Sequence, residues 1–594
     1  MSTTMKRYGL LLVIAACTVL VFYRFHDTVL PAGRSSFAWG HHSASVGPPL
    51  DSQDGRFRWS DVPVRYPVVS LTPLPTAKPK QLPAVQHTFT EESQQAAETR
   101  KSRLAAVKGA FERCWKAYKE HAWLQDELAP LSGGYRNGFG GWAANLVDNL
   151  DNLWIMGLKE EFEAAVVAAV GIDLSVSSTN IVNVFETTIR HLGGLLSAYD
   201  LSQDPRLLHK ATEVGEMLLV AFDTPNRMPI TRWRPVDGKS GRAQVADGVV
   251  LVAEIGSLTL EFTRLSQVTR DPKWYDAVER IVRVFDEQQS KTKLPGMWPV
   301  VVNAKDLEFT GDNTFTLGAM SDSLYEYFPK MHALLGGVEP VYEKMYTDSM
   351  NTAITHNLWR PMTPDNADIL LSGNVRVNPD VEVDPQGQHL VCFAGGMLAL
   401  GGRLFSNKTQ VELGRKLTDG CIWTYRALPY GIMPEIFHMV SCASKDICNW
   451  DEDRWRDEVM QRASLQSKGL VDAYIQEQRI PKGFTDLPDR RYILRPEAIE
   501  SVFILYRITG DQRLQDAGWD MFTAITNATE TGLANAAISD VTIGADSKMD
   551  SMESFWMAET LKYFYLLFSE PGVISLDEWV FNTEAHPFKR PTVK

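Results

Sequence analysis

The stretch FETTIRHLGGLLSAYDLS, residues 185–202, carries the pattern from which the fold of this chain can be predicted. Its apolar residues recur at helical spacing, and a carboxylate, Glu186, stands near its start. Further helical runs begin in the same way, and the polar residues at their starts are separated by 68, 68, 67, 46, 62 and 62 positions. These residues are Glu186, Glu254, Asp322, His389, Glu435, Glu497 and Glu559. One helical hairpin with its loops occupies about that length, so the spacing predicts seven helix pairs around a shared interior.

The acidic starts also have a simpler explanation, because helix N-termini favour acidic residues through capping and the helix dipole. That explanation is sufficient for one position, whereas seven positions at near-regular spacing favour a toroid of paired helices. A ring of acids at one end of an apolar interior is costly unless it binds a charge or performs chemistry. The pattern therefore predicts a hard cation with oxygen ligands, acid/base catalysis on a polyhydroxylated substrate, or both.

The composition of the 594 residues is that of a globular protein, with 44% hydrophobic and 22% charged residues. A formal net charge of −13 argues against a nucleic-acid partner, because such proteins normally present a basic face. The six cysteines form no CxxC pair and no His/Cys cluster with zinc spacing. Any disulfides are therefore expected to be local reinforcements.

The N-terminal part of the chain is expected to anchor the protein in a membrane. Residues 8–23 are uncharged and mostly apolar, and they follow Lys6 and Arg7. We interpret residues 1–7 as a cytoplasmic tail and 8–23 as a signal-anchor helix of a single-pass type II protein, in preference to a cleaved signal peptide. Residues 24–94 are rich in proline and predict an extended stem. Residues 95–594 show helical patterns almost throughout and predict one mainly α-helical, lumenal body.

Several stretches in this body resemble the class I α-1,2-mannosidases of glycoside hydrolase family 47, especially the fungal and Golgi members. They occur in family order and include LVDNLDNLWIMGL (146–158), TLGAMSDSLYEY (316–327), YILRPEAIES (492–501), ESFWMAETLKYFYLLFS (553–569) and VFNTEAHPF (580–588). The resemblance implies an all-α (α/α)7 barrel. It also implies a calcium-dependent, inverting enzyme that trims α-1,2-linked mannose from the high-mannose N-glycans of glycoproteins in the endoplasmic reticulum or Golgi.

The resemblance places the catalytic roles among Glu186, Asp322 and Glu497. Glu497 follows Pro496, so it is expected in the first turn of a helix, where the dipole favours the ionised form that a general base needs. For the general acid two residues remain open. The family reading favours Glu186, which has Arg190 one turn later, whereas local electrostatics favours Asp322, because Glu326 one turn later would raise its pKa.

The resemblance also implies a metal site and a set of substrate contacts. Thr583 would bind Ca²⁺ through its carbonyl and hydroxyl oxygens, with water and sugar hydroxyls completing the coordination. Residues expected around the substrate or the metal's water ligands are Arg190, Glu254, Glu326, His389, Glu435, Arg495, Glu500, Phe555, Glu559 and Glu584. Met320 stands where single-mannose-trimming members of the endoplasmic reticulum carry arginine, so broader trimming is expected.

The cysteines and sequons complete these expectations. The resemblance implies a Cys392–Cys421 disulfide, and Cys442 and Cys448 could form a second, short bridge, which would leave Cys17 and Cys114 free. The sequons at Asn407 and Asn527 predict N-glycosylation in the lumen. The alternative function is a degradation-enhancing, mannosidase-like protein that recognises or slowly trims misfolded glycoproteins.

Overall fold

The computed structural model describes residues 57–592, so the predicted tail and membrane anchor lie outside the described residues, as does Cys17. The described part is mainly helical, as predicted. Its α-helices, which we number α1–α20, are Gln94–His121, Ala144–Asp148, Leu150–Ile155, Lys159–Val170, Val184–Glu186, Gly193–Ser202, Pro205–Val220, Pro235–Lys239, Val252–Gly256, Thr259–Thr269, Lys273–Gln288, Asp322–Leu334, Pro340–His356, Phe393–Leu404, Lys408–Ala427, Glu452–Arg462, Val471–Glu477, Glu497–Thr509, Gln512–Thr529 and Leu561–Leu567. Among these helices none combines the length and hydrophobicity needed to cross a bilayer.

An inner set of helices packs in sequence order. Helix α3 contacts α6, and the succession continues through α10, α12, α14, α18 and α20. It returns to the beginning where the Asn152 side chain of α3 donates to the carbonyl of Met557, just before α20 (2.8 Å). Helix α18 is buried from Ala498 to Ile508, and α12 from Ser323 to Leu334. Most of these buried residues are apolar, as expected for helices covered on all sides, and buried polar residues such as Glu326, Lys330 and Arg507 stand among them.

Each inner helix has an outer partner that buries one face. The neighbouring helices α3–α4, α6–α7, α10–α11, α12–α13, α14–α15 and α18–α19 are consecutive in sequence, and α20 packs against α1. Helix α11 is typical of the outer set, because Trp274, Val278, Ile281 and Phe285 are buried at helical spacing. The other face of such a helix is charged and meets solvent.

Short antiparallel strands join the helices at their ends. Strands β1–β16 are Glu127–Leu128, Tyr135–Arg136, Val182–Asn183, Arg232–Trp233, Val250–Leu251, Val301–Val302, Thr314–Phe315, Leu358–Trp359, Leu371–Ser372, Asn374–Val377, Val381–Asp384, Gln386–Gln388, Ile436–Met439, Phe484–Asp489, Trp579–Phe581 and Pro587–Lys589. Two three-stranded sheets have the orders β11-β10-β7 and β12-β13-β14, and the remaining strands form pairs. The pair β15–β16 presents the turn 582–586 to the interior.

Residues 57–93, the described part of the predicted stem, form what we call the N-terminal strap. They are irregular apart from a 3₁₀ turn at Trp59–Asp61 and lie against the helical body. Trp59 is 3% exposed and donates its indole N–H to the carbonyl of Leu174 (3.2 Å). Asp276 accepts the backbone N–H of Thr72 and Asp577 that of Val85 (2.8 and 2.7 Å). The strap therefore belongs to the same compact unit as the helices.

Both expected disulfides are present. One disulfide joins Cys392, the residue before α14, to Cys421 of α15, with the Cα atoms 6.1 Å apart, and Cys442 and Cys448 close a short loop. Cys114 is free and buried. Asn407 caps α15 and Asn527 lies in the last turns of α19, and both are exposed, so glycosylation at these positions stays a prediction.

Candidate active site

A cavity of about 260 Å³ opens at the end of the inner helices where the polar starts were predicted. Predicted residues make up much of its lining, which includes Glu186, Arg190, Glu254, Asp322, Glu326, Arg495, Glu497, Glu500, Phe555, Glu559, Thr583 and Glu584. Asp322 and Glu497 are the first residues of α12 and α18. The inner helices thus bring together carboxylates that are distant in sequence.

Two predicted residues lie behind the cavity and not in its wall. His389 is fully buried, with Nδ1 3.0 Å from Oε2 of Glu497 and Nε2 2.7 Å from the Tyr425 hydroxyl. Glu435 accepts a hydrogen bond from Nε of Arg495. Glu435 also does not begin a helix, because it immediately precedes strand β13. The spacing pattern was therefore wrong at this position, since a β-sheet and helices α16 and α17 lie between α15 and α18.

Two short π-helical segments carry functional side chains. Thr187–Leu192 holds Arg190, and Trp556–Thr560 holds Glu559. A π-helix inserts an extra residue into a helical turn and is frequent at functional sites. The apolar periodicity of both stretches reads as ordinary α-helix, so the sequence analysis missed them.

Glu497 is held as an anion. Burial alone would raise its pKa, but the Arg495 guanidinium and the bond with His389 hold the pKa of Glu497 below its usual value. Arg495 lies 3.4 Å from the Glu497 carboxylate and also binds Glu435. This environment suits a general base.

Asp322 is favoured in its protonated, neutral form. Burial, together with the nearby charges of Glu326 and Glu497, raises the pKa of Asp322 to about 7, although the Ser323 N–H bonds to the carboxylate. A carboxyl group that keeps its proton near neutral pH can act as a general acid. Two carboxylates of one cavity are thereby driven to different protonation states.

Glu186 lies in a different environment. Its carboxylate accepts Nε–H of Arg190 at 2.9 Å, and the Asn183 side chain accepts the Glu186 backbone N–H. Arg190 also donates to Glu584 (2.7 Å), so its guanidinium joins the start of one inner helix to the turn of the β15–β16 hairpin. Glu186 is thus ion-paired, whereas Asp322 has no charged donor beside it within the described residues.

The turn 582–586 forms the floor of the cavity and is fastened from below by a buried charge cluster. The Lys562 ammonium, which has no exposed surface, bonds Oδ2 of Asp151 and the carbonyl of Ala585, both at 2.8 Å. His586 Nδ1 lies 2.9 Å from the same Asp151 oxygen. Asn582 accepts the N–H groups of Glu584 and His586, so its side chain fixes the shape of the turn.

The lining fits the calcium ion implied by the resemblance. Within residues 57–592, neither the hydroxyl nor the carbonyl oxygen of Thr583 accepts a hydrogen bond, and Thr583 lines the cavity. Burial and neighbouring carboxylates raise the pKa of Glu559 well above normal, and the pKa values of Glu500 and Glu584 rise to about 8. Burial is the largest cause of these shifts and the neighbouring carboxylates add to it, and a hard cation bound among these groups would favour their ionised forms. In the part of the chain that the structure describes, no group of three His, Cys, Asp or Glu side chains could hold a metal ion by itself.

Some lining residues were not anticipated from the sequence. Asn183 and Arg232 are cross-strand partners in the β3–β4 pair, and both reach the cavity. Phe185, Leu251, Leu390 and Phe393 supply apolar wall. Arg232 had no motif to mark it, because its contact with Glu254 joins two segments that no periodicity relates.

Comparisons with known proteins show what the chain is similar to. The sequence family described as glycosyl hydrolase family 47 matches residues 110–590. The chain is 34% identical to mannosyl-oligosaccharide 1,2-alpha-mannosidase MNS1 of Arabidopsis thaliana, over 82% of this chain and 79% of that protein. It is 35% identical to the endoplasmic reticulum mannosyl-oligosaccharide 1,2-alpha-mannosidase of Homo sapiens, over 82% of this chain and 64% of that protein. Among solved structures, the alpha-1,2-mannosidase from Trichoderma reesei matches with a TM-score of 0.73 and 30% identity, over 83% of this chain and 99% of that one.

Proposed function

This chain belongs to glycosyl hydrolase family 47 and is a glycoside hydrolase, and on that premise we propose that it removes α-1,2-linked mannose from high-mannose N-glycans of glycoproteins. The observation that carries the proposal is the pair Asp322 and Glu497, two carboxyl groups of one cavity whose pKa values are driven apart. A glycosidase needs one protonated and one ionised carboxyl group at the bond it cleaves.

The fold we infer for this enzyme is an (α/α)7 barrel. Seven inner helices in ring order, each with an outer partner, support that interpretation within the described residues. The similarity to the Trichoderma reesei enzyme supports it independently. In such a barrel the starts of the inner helices converge, which explains why the carboxylates meet.

The proposed reaction is hydrolysis with inversion of the anomeric configuration. Glu497 takes a proton from the attacking water, and His389 and Arg495 keep its carboxylate ionised and oriented. The leaving oxygen receives a proton either from Asp322 directly or from Glu186, whose pairing with Arg190 makes transfer through a water more suitable. Phe555 would lie against one face of the sugar ring. The surrounding carboxylates would accept hydrogen bonds from the hydroxyl groups of the sugar.

We propose Ca²⁺ as the cofactor, held by the two oxygens of Thr583. The water ligands of the ion would be hydrogen-bonded by carboxylates of the lining, which are Glu500, Glu559 and Glu584. Glu435 would act indirectly, through its hydrogen bond with Arg495. When bound, calcium would supply a hard cation that takes sugar hydroxyl and water oxygens as ligands. Its charge would also stabilise the ionised forms of the crowded acids.

We further propose that the enzyme acts in the lumen of the endoplasmic reticulum or Golgi, attached by residues 8–23. Two disulfides and two exposed sequons in the body support an oxidising compartment. Met320 lies in the cavity wall and is 42% exposed, which supports the proposal of broad trimming.

The test follows the mannose released from a high-mannose N-glycan by proton NMR. Early β-mannose that disappears on chelation and returns with Ca²⁺ is expected. Early α-mannose would mean retention and would overturn the roles given to Glu186, Asp322 and Glu497, and no release at all would refute the enzymatic proposal. Glu497→Gln should abolish turnover and leave glycan binding, measured by calorimetry, largely intact, and retained turnover would reject Glu497 as the base.

A further inference from the structure

Three arginines line the cavity, and they differ in how many carboxylates their guanidinium groups bind. The side chains of Arg190 and Arg495 are 7% and 21% exposed, and each bonds two or more carboxylates. The Arg232 side chain is 41% exposed, and among the described residues its charged partner is Glu254 alone. A guanidinium carries five N–H donors, so Arg232 keeps donors that the protein does not occupy.

The position of Arg232 is set by secondary structure. It lies on strand β4, directly opposite Asn183 of β3, and Asn183 caps the short helix that ends at Glu186. Its guanidinium is bonded to Glu254, whose side chain is 9% exposed. Arg232 is thus a cation of the cavity wall that is paired with a buried carboxylate and remains partly exposed to solvent.

The cavity wall that contains Arg232 also contains an apolar side chain, that of Met320. Met320 is 42% exposed, and its carbonyl accepts the Ala253 N–H, next to Glu254 (3.0 Å). The wall on this side therefore combines one apolar side chain with one guanidinium. A sugar in the cavity would be surrounded by buried carboxylates, whereas sugars still attached to it would extend toward exposed residues of the wall such as Arg232.

We propose that Arg232 is a specificity-determining residue that binds the part of the oligosaccharide outside the cavity. Its free N–H donors bond hydroxyl oxygens of the sugars beyond the scissile linkage, while Glu254 holds the guanidinium in place. The inference rests on the proposed mannosidase function. It predicts that Arg232 contributes to hydrolysis of an extended glycan and little to hydrolysis of a disaccharide.

The experiment compares kcat/KM of the full-length chain on a high-mannose N-glycan and on α-1,2-mannobiose. The ratio of the two values is the readout, because any disturbance of Glu254 inside the cavity affects both substrates and cancels. Arg232→Ala is expected to lower this ratio about tenfold, since bonds from a charged donor are lost. Arg232→Lys keeps a positive charge beside Glu254 but not the planar fork, and it is expected to lower the ratio less.

Arg234 provides the matched control, because it is two residues away, 57% exposed and absent from the cavity wall. Arg234→Ala should leave the ratio and both activities unchanged. An unchanged ratio in Arg232→Ala would overturn the inference and reduce Arg232 to a partner of Glu254. Failure of the unmodified protein to hydrolyse either substrate would instead refute the proposed function, and the inference with it.

Discussion

Asp322 and Glu497 have nearly the same chemistry and the same degree of enclosure, and their neighbours alone decide which one keeps a proton. Glu497 has an arginine and a histidine beside it, whereas Asp322 has a backbone N–H and two acidic neighbours. The sequence already contained half of this argument, because Glu326 one turn after Asp322 is visible in it. The contact of His389 with Glu497 joins residues 108 positions apart and needed the structure.

Asp322→Asn should slow hydrolysis of a natural glycan by roughly 10²–10⁴-fold, because the leaving oxygen loses its proton donor. With an aryl mannoside whose leaving group needs no proton, the loss should be much smaller. If Glu186→Gln shows this pattern and Asp322→Asn does not, Glu186 is the acid. In the unmodified enzyme kcat/KM should fall as the pH rises through about 7, because Asp322 then loses its proton. A pH profile that stays flat up to pH 9 would contradict the assignment.

Thr583→Val should weaken calcium binding at least tenfold, because it removes one of the two oxygens offered by this residue and keeps its shape. Isothermal titration of the metal-free protein with Ca²⁺ measures the effect without reference to activity. Thr531→Val is a suitable control, since Thr531 lies outside the cavity wall. Equal affinities of the Thr583 variant and the unmodified protein would reject the metal assignment.

At the scale of secondary structure, the turn 582–586 depends on elements that are far from it in sequence. Helix α20 supplies Lys562 and helix α3 supplies Asp151, and both meet beneath the turn. The motif NTEAH predicted that this segment matters, but it did not reveal what holds it. The same limit applies to the π-helices, because the extra residue that turns Arg190 and Glu559 toward the cavity leaves no trace in the apolar spacing.

Lys562→Met should lower the free energy of unfolding by about 3–5 kcal/mol, because it leaves the Asp151 carboxylate buried without its ammonium partner. It should also weaken calcium binding, since the Ala585 carbonyl loses its donor and the turn loses its support. Urea unfolding and Ca²⁺ titration measure the two effects. Adding Asp151→Asn should recover part of the stability, whereas Lys589→Met, at an exposed ion pair, should change it by less than about 1 kcal/mol. Normal stability in Lys562→Met would contradict this account.

For the whole molecule, the alternation of helices could be predicted from the sequence, and the path of the chain before the first helix could not. The apolar period marks most of the helices after Gln94, whereas the spacing of polar residues was wrong at Glu435, which precedes a strand. The N-terminal strap has neither signal. Its docking depends on single bonds such as Thr72 to Asp276 and Val85 to Asp577, whose partners lie 204 and 492 positions away.

The strap should contribute measurably to the stability of the whole unit. Trp59→Ala is expected to lower the free energy of unfolding by about 3 kcal/mol, because a fully packed indole and its hydrogen bond to Leu174 are lost. Val69→Ala is the matched control in the same segment, since Val69 is fully exposed. Equal stability of the two variants, measured by urea unfolding, would mean that the strap does not act as part of the body.

The closed floor of the cavity has a consequence for how substrate enters and product leaves. Thr583 and Glu584 form the inner wall, and beneath them Asp151, Lys562 and His586 have no contact with solvent. The cavity is therefore closed at its inner end. If the chain has the proposed function, we expect each released mannose to leave through the opening by which the glycan enters, so that terminal sugars are removed one at a time and free mannose inhibits competitively.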